Sequence, residues 1–100
     1  MPDEFNEIEE IVENAENEWE IAKEKESVQI YQSAEKLFLL AIKKSVKPAP
    51  EIHARLAWMY YQMHFLDYRN EKNAEALKSQ ALNKASDQAD ISLKHDAENL

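Results

Sequence analysis

Glycine is absent from the 100-residue sequence. Glycine supplies the positive φ angles and the close backbone approach on which phosphate-cradling loops, dinucleotide fingerprints, nucleophile elbows and tight hairpin turns depend. We therefore expect most of these glycine-built devices to be missing from the fold. The chain is predicted to offer a surface to a partner and not to act as an enzyme, because no site for bond-making chemistry is recognisable in it.

Cysteine is also absent, so the chain has no disulfide, no thiolate nucleophile and no cysteine-ligated zinc or iron–sulfur site. Long apolar runs are missing as well: the longest, residues 37–42 and 56–61, are far shorter than a membrane-spanning helix. The N-terminus lacks the basic and apolar segments of a signal sequence. These absences predict a cytoplasmic protein without membrane insertion.

Acidic residues dominate the charge, but only in one part of the chain. Residues 1–26 hold eleven acids against Lys23 and Lys25, whereas residues 27–100 hold nine acids against ten bases, which gives a net charge of −8. An acidic block of this size repels phosphate backbones, so nucleic-acid binding is not expected. The acidic face of residues 3–26 is either solvated or contacts a basic partner.

Apolar residues recur at alternating steps of three and four in the first part of the chain, which is the spacing of one helix face. This seam consists of Phe5, Ile8, Val12, Ala15, Trp19 and Ala22. Ser27 is a candidate N-cap for a second helix, whose buried set runs from Ile30 to Ile42. Because no glycine or proline separates the two helices, one continuous rod over residues 3–46 is the alternative.

Two prolines define the clearest boundary, since proline disfavours helix in the preceding residue and fits the first turn of the next helix. Residues 47–50 therefore separate the second helix from a third, and residues 64–73 are the predicted loop before a fourth. Asp87 and Asp90 form a capping-box pattern after Ser86, which predicts a short fifth helix. The expected fold class is all-α, with about five helices.

Two short patterns of the first half recur in the second half. A large–small pair recurs at an offset of 35 residues, as Ile21-Ala22 and Leu56-Ala57. An alanine spacing recurs at an offset of 40, as Ala34-x6-Ala41 and Ala74-x6-Ala81, with Phe38 or Lys78 between the alanines. A two-helix unit of about 34 residues with these features resembles the tetratricopeptide repeat (TPR).

This resemblance implies a right-handed stack of antiparallel helical hairpins in which small residues mark close helix contacts. The single domain, residues 1–100, would then comprise hairpins over 15–48 and 50–86 and a capping helix over 88–100. Four positions where the family has aromatic residues differ here: Glu18, Lys25, His53 and Lys78. A three-helix domain of the microtubule-interacting-and-trafficking type is a second resemblance.

In TPR proteins the first helix of each hairpin lines a concave groove that binds a peptide or helix of another protein. The resemblance places eight residues there: Glu16, Trp19, Lys23, Glu26, Glu51, Ala54, Trp58 and Tyr61. Trp19, Trp58 and Tyr61 are the candidate anchors, because aromatic side chains dominate binding energy at interfaces. Lys23 and Arg55 are candidates for binding a carboxylate of the partner, and Glu51 belongs to the same predicted site.

Core packing is the alternative for these aromatic residues, since Trp19 continues the first seam and the C-terminal helix can fold over Trp58 and Tyr61. No catalytic or metal-binding pattern is present. The three histidines, His53, His64 and His95, lack the convergent ligands of a zinc or iron site, and the acids of the first helix lack the Glu-x-x-His pairs of a di-iron bundle. We expect no cofactor and no metal.

The favoured function is a non-catalytic protein–protein interaction module, a TPR-like adaptor that binds a peptide or helix of another protein. A self-associating helical-bundle subunit is an alternative, because the seam over residues 5–22 has heptad spacing and permits a homodimer. Leu39, Leu40, Phe65 and Tyr68 also amount to more apolar surface than a small domain can hide. A trafficking-type three-helix interaction domain is a further alternative.

Overall fold

Four α-helices form the structure, a computed structural model that describes residues 3–46, 49–66 and 74–98, with side chains for 7–46, 49–66 and 74–94. In chain order they are α1 (Asp3–Lys25), α2 (Val28–Lys44), α3 (Pro50–His64) and α4 (Ala74–Glu98). The predicted all-α class is confirmed, since this part of the chain contains helices and turns and no strand. It contains four helices where about five were predicted.

A two-residue turn joins α1 to α2. Glu26 has a positive φ of 50°, and the Ser27 N–H donates to the Ala22 carbonyl at 3.2 Å, which is the hydrogen bond of a helix that ends through a left-handed residue. The Ser27 hydroxyl accepts from the Ile30 N–H at 3.3 Å and caps α2. The predicted cap is confirmed, and residues 3–46 form two helices and not one rod.

This turn corrects an expectation drawn from composition. The absence of glycine suggested that tight turns with positive φ would be missing, yet Glu26 makes one. A residue with a Cβ atom in this conformation costs about 1 kcal/mol. The packing of α1 against α2 offsets this cost, because the turn brings the apolar faces of the two helices together.

Proline marks the start of α3, as predicted. α2 ends at Lys44, and the Ser45 N–H donates to the carbonyls of the preceding turn at 3.1 Å. Pro50 stands in the first turn of α3, where its missing N–H leaves no helical hydrogen bond unmade. α3 then ends at His64, where the loop was predicted to begin; residues 47–48 and 67–73 lie outside the described part.

The predicted stop near Ser86 is wrong, and the predicted capping helix over 88–100 is not separate: α4 continues unbroken to Glu98. The reason is tertiary. Ala85 and Ser92 are both buried, and the Ser92 hydroxyl donates to the Pro50 carbonyl at 2.9 Å, so α3 holds both halves of α4 in line. The candidate capping residues Asp87 and Asp90 lie inside the helix and are exposed.

The helices pack mainly as two hairpins, α1 with α2 and α3 with α4, and α3 also packs against α2. Small residues mark the close contacts at most of the alanines that the sequence indicated: Ala22, Ala34 and Ala41 have no exposed surface and Ala81 is buried, whereas Ala57 and Ala74 are only partly buried. The largest fully buried side chains are Phe38, Leu56 and Met59. These residues form one hydrophobic core that includes parts of all four helices.

The seam of α1 is used inside this core. Ile8, Val12 and Trp19 are partly buried against it, and Ala15 and Ala22 belong to it. The heptad spacing that permitted a homodimer is therefore explained by packing within the chain.

A polar contact shows how the second hairpin is aligned. His53 Nδ1 lies 2.5 Å from Gln88 Oε1. Because α3 and α4 are antiparallel, Ala57, one turn after His53, lies level with Ala85, about one turn before Gln88. Ala74, which the alignment matches with Ala34, is the first residue of α4 and is partly buried against the core.

Candidate docking groove

Large apolar side chains are exposed along one side of the second hairpin. On α3 and its C-terminal end, Trp58 is 55%, Tyr61 43% and Phe65 67% exposed. On α4, Leu82 is 43% and Leu93 67% exposed. These five side chains are in contact with water, although removing their apolar surface from water would be favourable. This side of the hairpin is therefore unlike an ordinary solvated helix face.

The three aromatic side chains form a continuous row. Trp58 and Tyr61 are stacked, with ring centroids 5.8 Å apart and planes at 21°. Phe65 meets Tyr61 edge to face at 5.0 Å. Spacings of three and four residues put all three on one helix face, and mutual contact restricts their rotamers before any partner arrives. The row is thus a preorganised surface.

An open groove of about 670 Å³ runs beside this row, between α3 and α4. Its lining is Ala54, Ala57, Trp58 and Tyr61 from α3 and Leu82, Ala85, Ser86, Ala89, Ser92 and Leu93 from α4. The described lining residues include none that is charged, and the floor is made of small side chains. Small floor residues and large wall residues together create a concave apolar surface.

The six predicted site residues do not form one groove. Trp58 and Tyr61 come together as predicted and lie in the α3–α4 groove. Glu51 is exposed in the first turn of α3, one turn before Ala54 of the lining, so it borders the groove without lining it. These three residues therefore belong to one surface, and Trp19, Lys23 and Arg55 to another.

Trp19 is only partly buried, but its polar and apolar contacts are within the chain. Its Nε1–H donates to Gln62 Oε1 at 2.7 Å, and its ring meets Phe38 edge to face at 6.1 Å. Lys23 Nζ lies 5.3 Å from the centre of the Trp19 ring. Trp19 thus joins α1 to α2 and α3.

The two basic site residues are paired with acids of α1. Arg55 Nε lies 2.8 Å from Glu16, and Lys23 Nζ lies 2.6 Å from Glu20. All four side chains remain well exposed, so each pair stabilises the fold by at most about 1 kcal/mol. A partner carboxylate would have to compete with Glu16 and Glu20 for these cations.

The α4 wall of the groove was missed by the sequence analysis. Leu82, Ala85, Ala89 and Leu93 follow the three-and-four spacing of one helix face. This signal spans the residues at which α4 was predicted to stop. A continuous helix over this segment would have shown the second wall.

A polar cluster lies on the other side of α3, between the two hairpins. The Tyr60 hydroxyl donates to Glu35 at 2.5 Å, and Lys84 donates to the same carboxylate at 3.3 Å. Burial, and then the hydrogen bond and negative charge of Glu35, raise the pKa of Tyr60 well above its ordinary value. One carboxylate of α2 thus holds α3 and α4 in place.

The described residues include no group of three or more potential metal ligands that lie together. His64 Nδ1 lies 2.8 Å from the Lys78 carbonyl and His53 contacts Gln88, so both rings join α3 to α4. Neither ring faces the lining of the groove. His95 and Tyr68 lie outside the residues whose side chains are described.

Among the described helices, none has the length and apolar character that crossing a membrane requires. Comparison with known proteins gives no matching family model, no similar curated protein and no similar solved structure. The function is therefore argued from the groove itself.

Proposed function

We propose that the chain is a non-catalytic protein–protein interaction module that binds a helix or peptide of another protein in the α3–α4 groove. The observation that carries this proposal is the row of Trp58, Tyr61 and Phe65, which is exposed beside an apolar groove that no described element covers. The proposal keeps Trp58, Tyr61 and Glu51 as binding residues. Trp19, Lys23 and Arg55 remain candidates only for a partner that reaches round to α1.

The size of the surface supports a binding role. Since an aromatic side chain has roughly 150–250 Å² of surface, the exposed parts of the row amount to roughly 300 Å². Leu82 and Leu93 add to it from the opposite wall. Apolar patches of roughly 300–600 Å² are the largest on typical monomers and are frequently functional.

The chemistry of the lining supports a non-catalytic role. Its polar side-chain atoms are the hydroxyls of Ser86, Ser92 and Tyr61 and the indole N–H of Trp58, and the Ser92 hydroxyl already donates to the Pro50 carbonyl. Among the described residues, no aspartate, glutamate, lysine, arginine or histidine lines the groove. General acid–base or nucleophilic catalysis needs such groups within hydrogen-bond reach of a bound substrate.

A TPR-like adaptor is the form of this proposal that the sequence favours. Two antiparallel hairpins with a fully buried alanine at position 22 support it, as does the apolar groove of the second hairpin. The right-handed sense of the stack and a cytoplasmic location are parts of the proposal. A trafficking-type three-helix domain fits less well, because the described part of the chain has four helices.

Site-specific photo-crosslinking tests the proposal. The full chain with Tyr61→p-benzoylphenylalanine is irradiated in an extract of the cells that produce it, and adducts are identified by mass spectrometry. Leu40→p-benzoylphenylalanine is the matched control, since Leu40 is 39% exposed on α2, away from the groove. We expect a protein adduct from position 61 that is absent from position 40. The same products from both positions, or none from either, would contradict the proposal.

Self-association is the second candidate function, and Leu39 favours it. Leu39 and Leu40 are 43% and 39% exposed on α2, a second apolar surface that the groove does not include. Sedimentation velocity at micromolar concentration separates the two candidates. A monomer supports the interaction module, and a dimer that Leu39→Ser dissociates supports the self-associating subunit.

A further inference from the structure

The first hairpin shows what a covered groove looks like in this protein. α3 packs against α2 and reaches α1 through the Trp19–Gln62 side-chain contact, and its Leu56 and Met59 are fully buried. At its edges Arg55 pairs with Glu16 of α1, and Tyr60 donates to Glu35 of α2. A helix with an apolar face and a cationic edge thus completes the first hairpin.

The second hairpin has an acid at the position equivalent to Glu16, the acid that Arg55 contacts. The offset of 35 residues that aligns Ala22 with Ala57 also aligns Glu16 with Glu51. Glu16 is paired with Arg55. Glu51 is exposed and takes part in no ion pair within the described part of the chain.

A second acid lies at the same end of the groove. The bond from Ser92 to the Pro50 carbonyl brings this end of α4 beside the start of α3. Asp90 is exposed three residues before Leu93 of the lining, and therefore flanks the groove on the α4 side. Lys94 adds one positive charge nearby, so two carboxylates and one ammonium surround a neutral lining.

We propose that the occupant of the groove is an amphipathic helix of a partner protein, with an apolar face like that of α3 and an arginine or lysine on its edge that pairs with Glu51. This inference rests on the proposed function. The helix would cover Ala57 and the aromatic row. Its cation would pair with Glu51 in the way that Arg55 pairs with Glu16.

The same charges argue against a second copy as the occupant. A two-fold contact between two grooves would bring rims of like charge together, on chains that each carry a net charge of −8. A head-to-tail contact would lay α1 of one copy in the groove of the next. The residue of α1 that matches Arg55 is Glu20, which would face Glu51 with the wrong sign.

A peptide with the α3 sequence, residues 50–64, is a suitable probe because this helix already fits an equivalent groove. A side-chain lactam between Ala54→Lys and Trp58→Glu on its outer face keeps the isolated peptide helical. A second probe also carries Arg55→Glu. Fluorescence anisotropy measures the binding of each labelled probe to the full chain and to its Glu51→Lys, Trp58→Ala and Leu40→Ala variants.

We expect the full chain to bind the arginine probe about fivefold to tenfold more tightly than the glutamate probe. The reason is that an exposed ion pair with Glu51 is replaced by a repulsive contact between two acids. Glu51→Lys should reverse this order. Trp58→Ala should weaken both probes at least about tenfold, and Leu40→Ala should change neither. The ratio of the two probes is compared within each variant, so a general effect of Glu51→Lys on α3 cancels.

Equal affinity for both probes, each weakened by Trp58→Ala, would overturn the charge rule and leave the proposed function standing. Binding of neither probe up to millimolar concentration would overturn the helix occupant; the crosslink from position 61 then decides the proposed function separately. A chain that sediments as a dimer, and as a monomer after Trp58→Ala, would show that a second copy fills the groove.

Discussion

Ala22 and Ala57 hold matching places in the two hairpins, yet Ala22 has no exposed surface and Ala57 lines an open groove. Each hairpin has small residues at its close contacts, so the two hairpins differ in their neighbours. α3 packs against α2 of the first hairpin and contacts α1 through side chains, whereas no described element packs against the groove side of the second hairpin. The groove is thus the same kind of surface that the protein elsewhere fills with a helix.

The outer faces of the two hairpins differ as well. The outer side of α1 carries exposed polar residues such as Glu10, Asn14 and Asn17, and Ile21 is its one large exposed apolar residue among those described. The outer side of α3 and α4 carries the aromatic row and two leucines. Stacked helical units need a polar face at a free end. The first hairpin has such a face, and the second has a face suited to a further helix.

The strongest test of this comparison places the same bulk at the two matched alanines. Ala22→Leu should destabilise the fold by about 1–3 kcal/mol, because the site is closed and has no room for three more carbon atoms. Ala57→Leu should change the free energy of unfolding by less than about 0.5 kcal/mol, because the added side chain enters an open groove. Urea unfolding followed by circular dichroism measures both.

The binding of the arginine probe also distinguishes Ala22→Leu from Ala57→Leu. Ala57→Leu fills the floor of the groove and should weaken the arginine probe at least about tenfold, whereas the folded fraction of Ala22→Leu should bind it normally. Equal destabilisation by the two substitutions would show that Ala57 is as enclosed as Ala22, and the distinction between the hairpins would fail.

Local sequence signals predicted the parts of the fold that local chemistry determines. The Ser27 cap, the proline boundary and the apolar seam of α1 depend on residues within one or two turns of each other. The continuity of α4 depends on Ser92 and Pro50, which are 42 residues apart, and no local pattern reveals that contact. A capping signal at Asp87 was therefore overruled by packing.

The candidate site divides in the same way. Trp58 and Tyr61 were recognised because their spacing places them on one helix face, and a helix face is a local property. Whether Trp19 contacts a partner or packs within the chain depends on Gln62 and Phe38, which the fold brings to it from other helices. Sequence periodicity shows which residues share a face, and only the packing shows whether another helix covers it.

A smaller effect is expected at the polar contact by which α3 is fixed over the first hairpin. Tyr60→Phe removes the hydrogen bond to Glu35 and leaves Lys84 in place, so we expect a loss of about 1–2 kcal/mol at neutral pH. The second hairpin has no such contact on its open side among the described residues. Thermal and urea unfolding at pH 7 measure the loss.

The same variant tests the pH dependence. Because the folded-state pKa of Tyr60 is raised above its ordinary value of 10.0, the tyrosine stays protonated in the folded chain at pH values where it ionises in the unfolded chain. Its contribution is complete below pH 10.0 and is lost as the pH rises above it. Tyr60→Phe should therefore lose less stability than the parent chain between about pH 9.5 and 11. Parallel curves would contradict this assignment; the buried Tyr31, whose pKa is also raised, accounts for alkaline loss that remains.

The smallest expected effect concerns the turn that connects α1 to α2. The first hairpin closes through Glu26, a non-glycine residue with a φ of 50°, in a chain without any glycine. Glu26→Gly should stabilise the fold by about 0.5–1 kcal/mol, since glycine adopts this conformation without a steric penalty. Glu24→Gly, the same change inside the last turn of α1, should destabilise it by a similar amount, because glycine is unfavourable in a helix. If the two substitutions change the free energy of unfolding in opposite directions in urea, the strain lies in the turn. Equal signs would mean that the turn is unstrained and that α1 and α2 are held together by their packed faces alone.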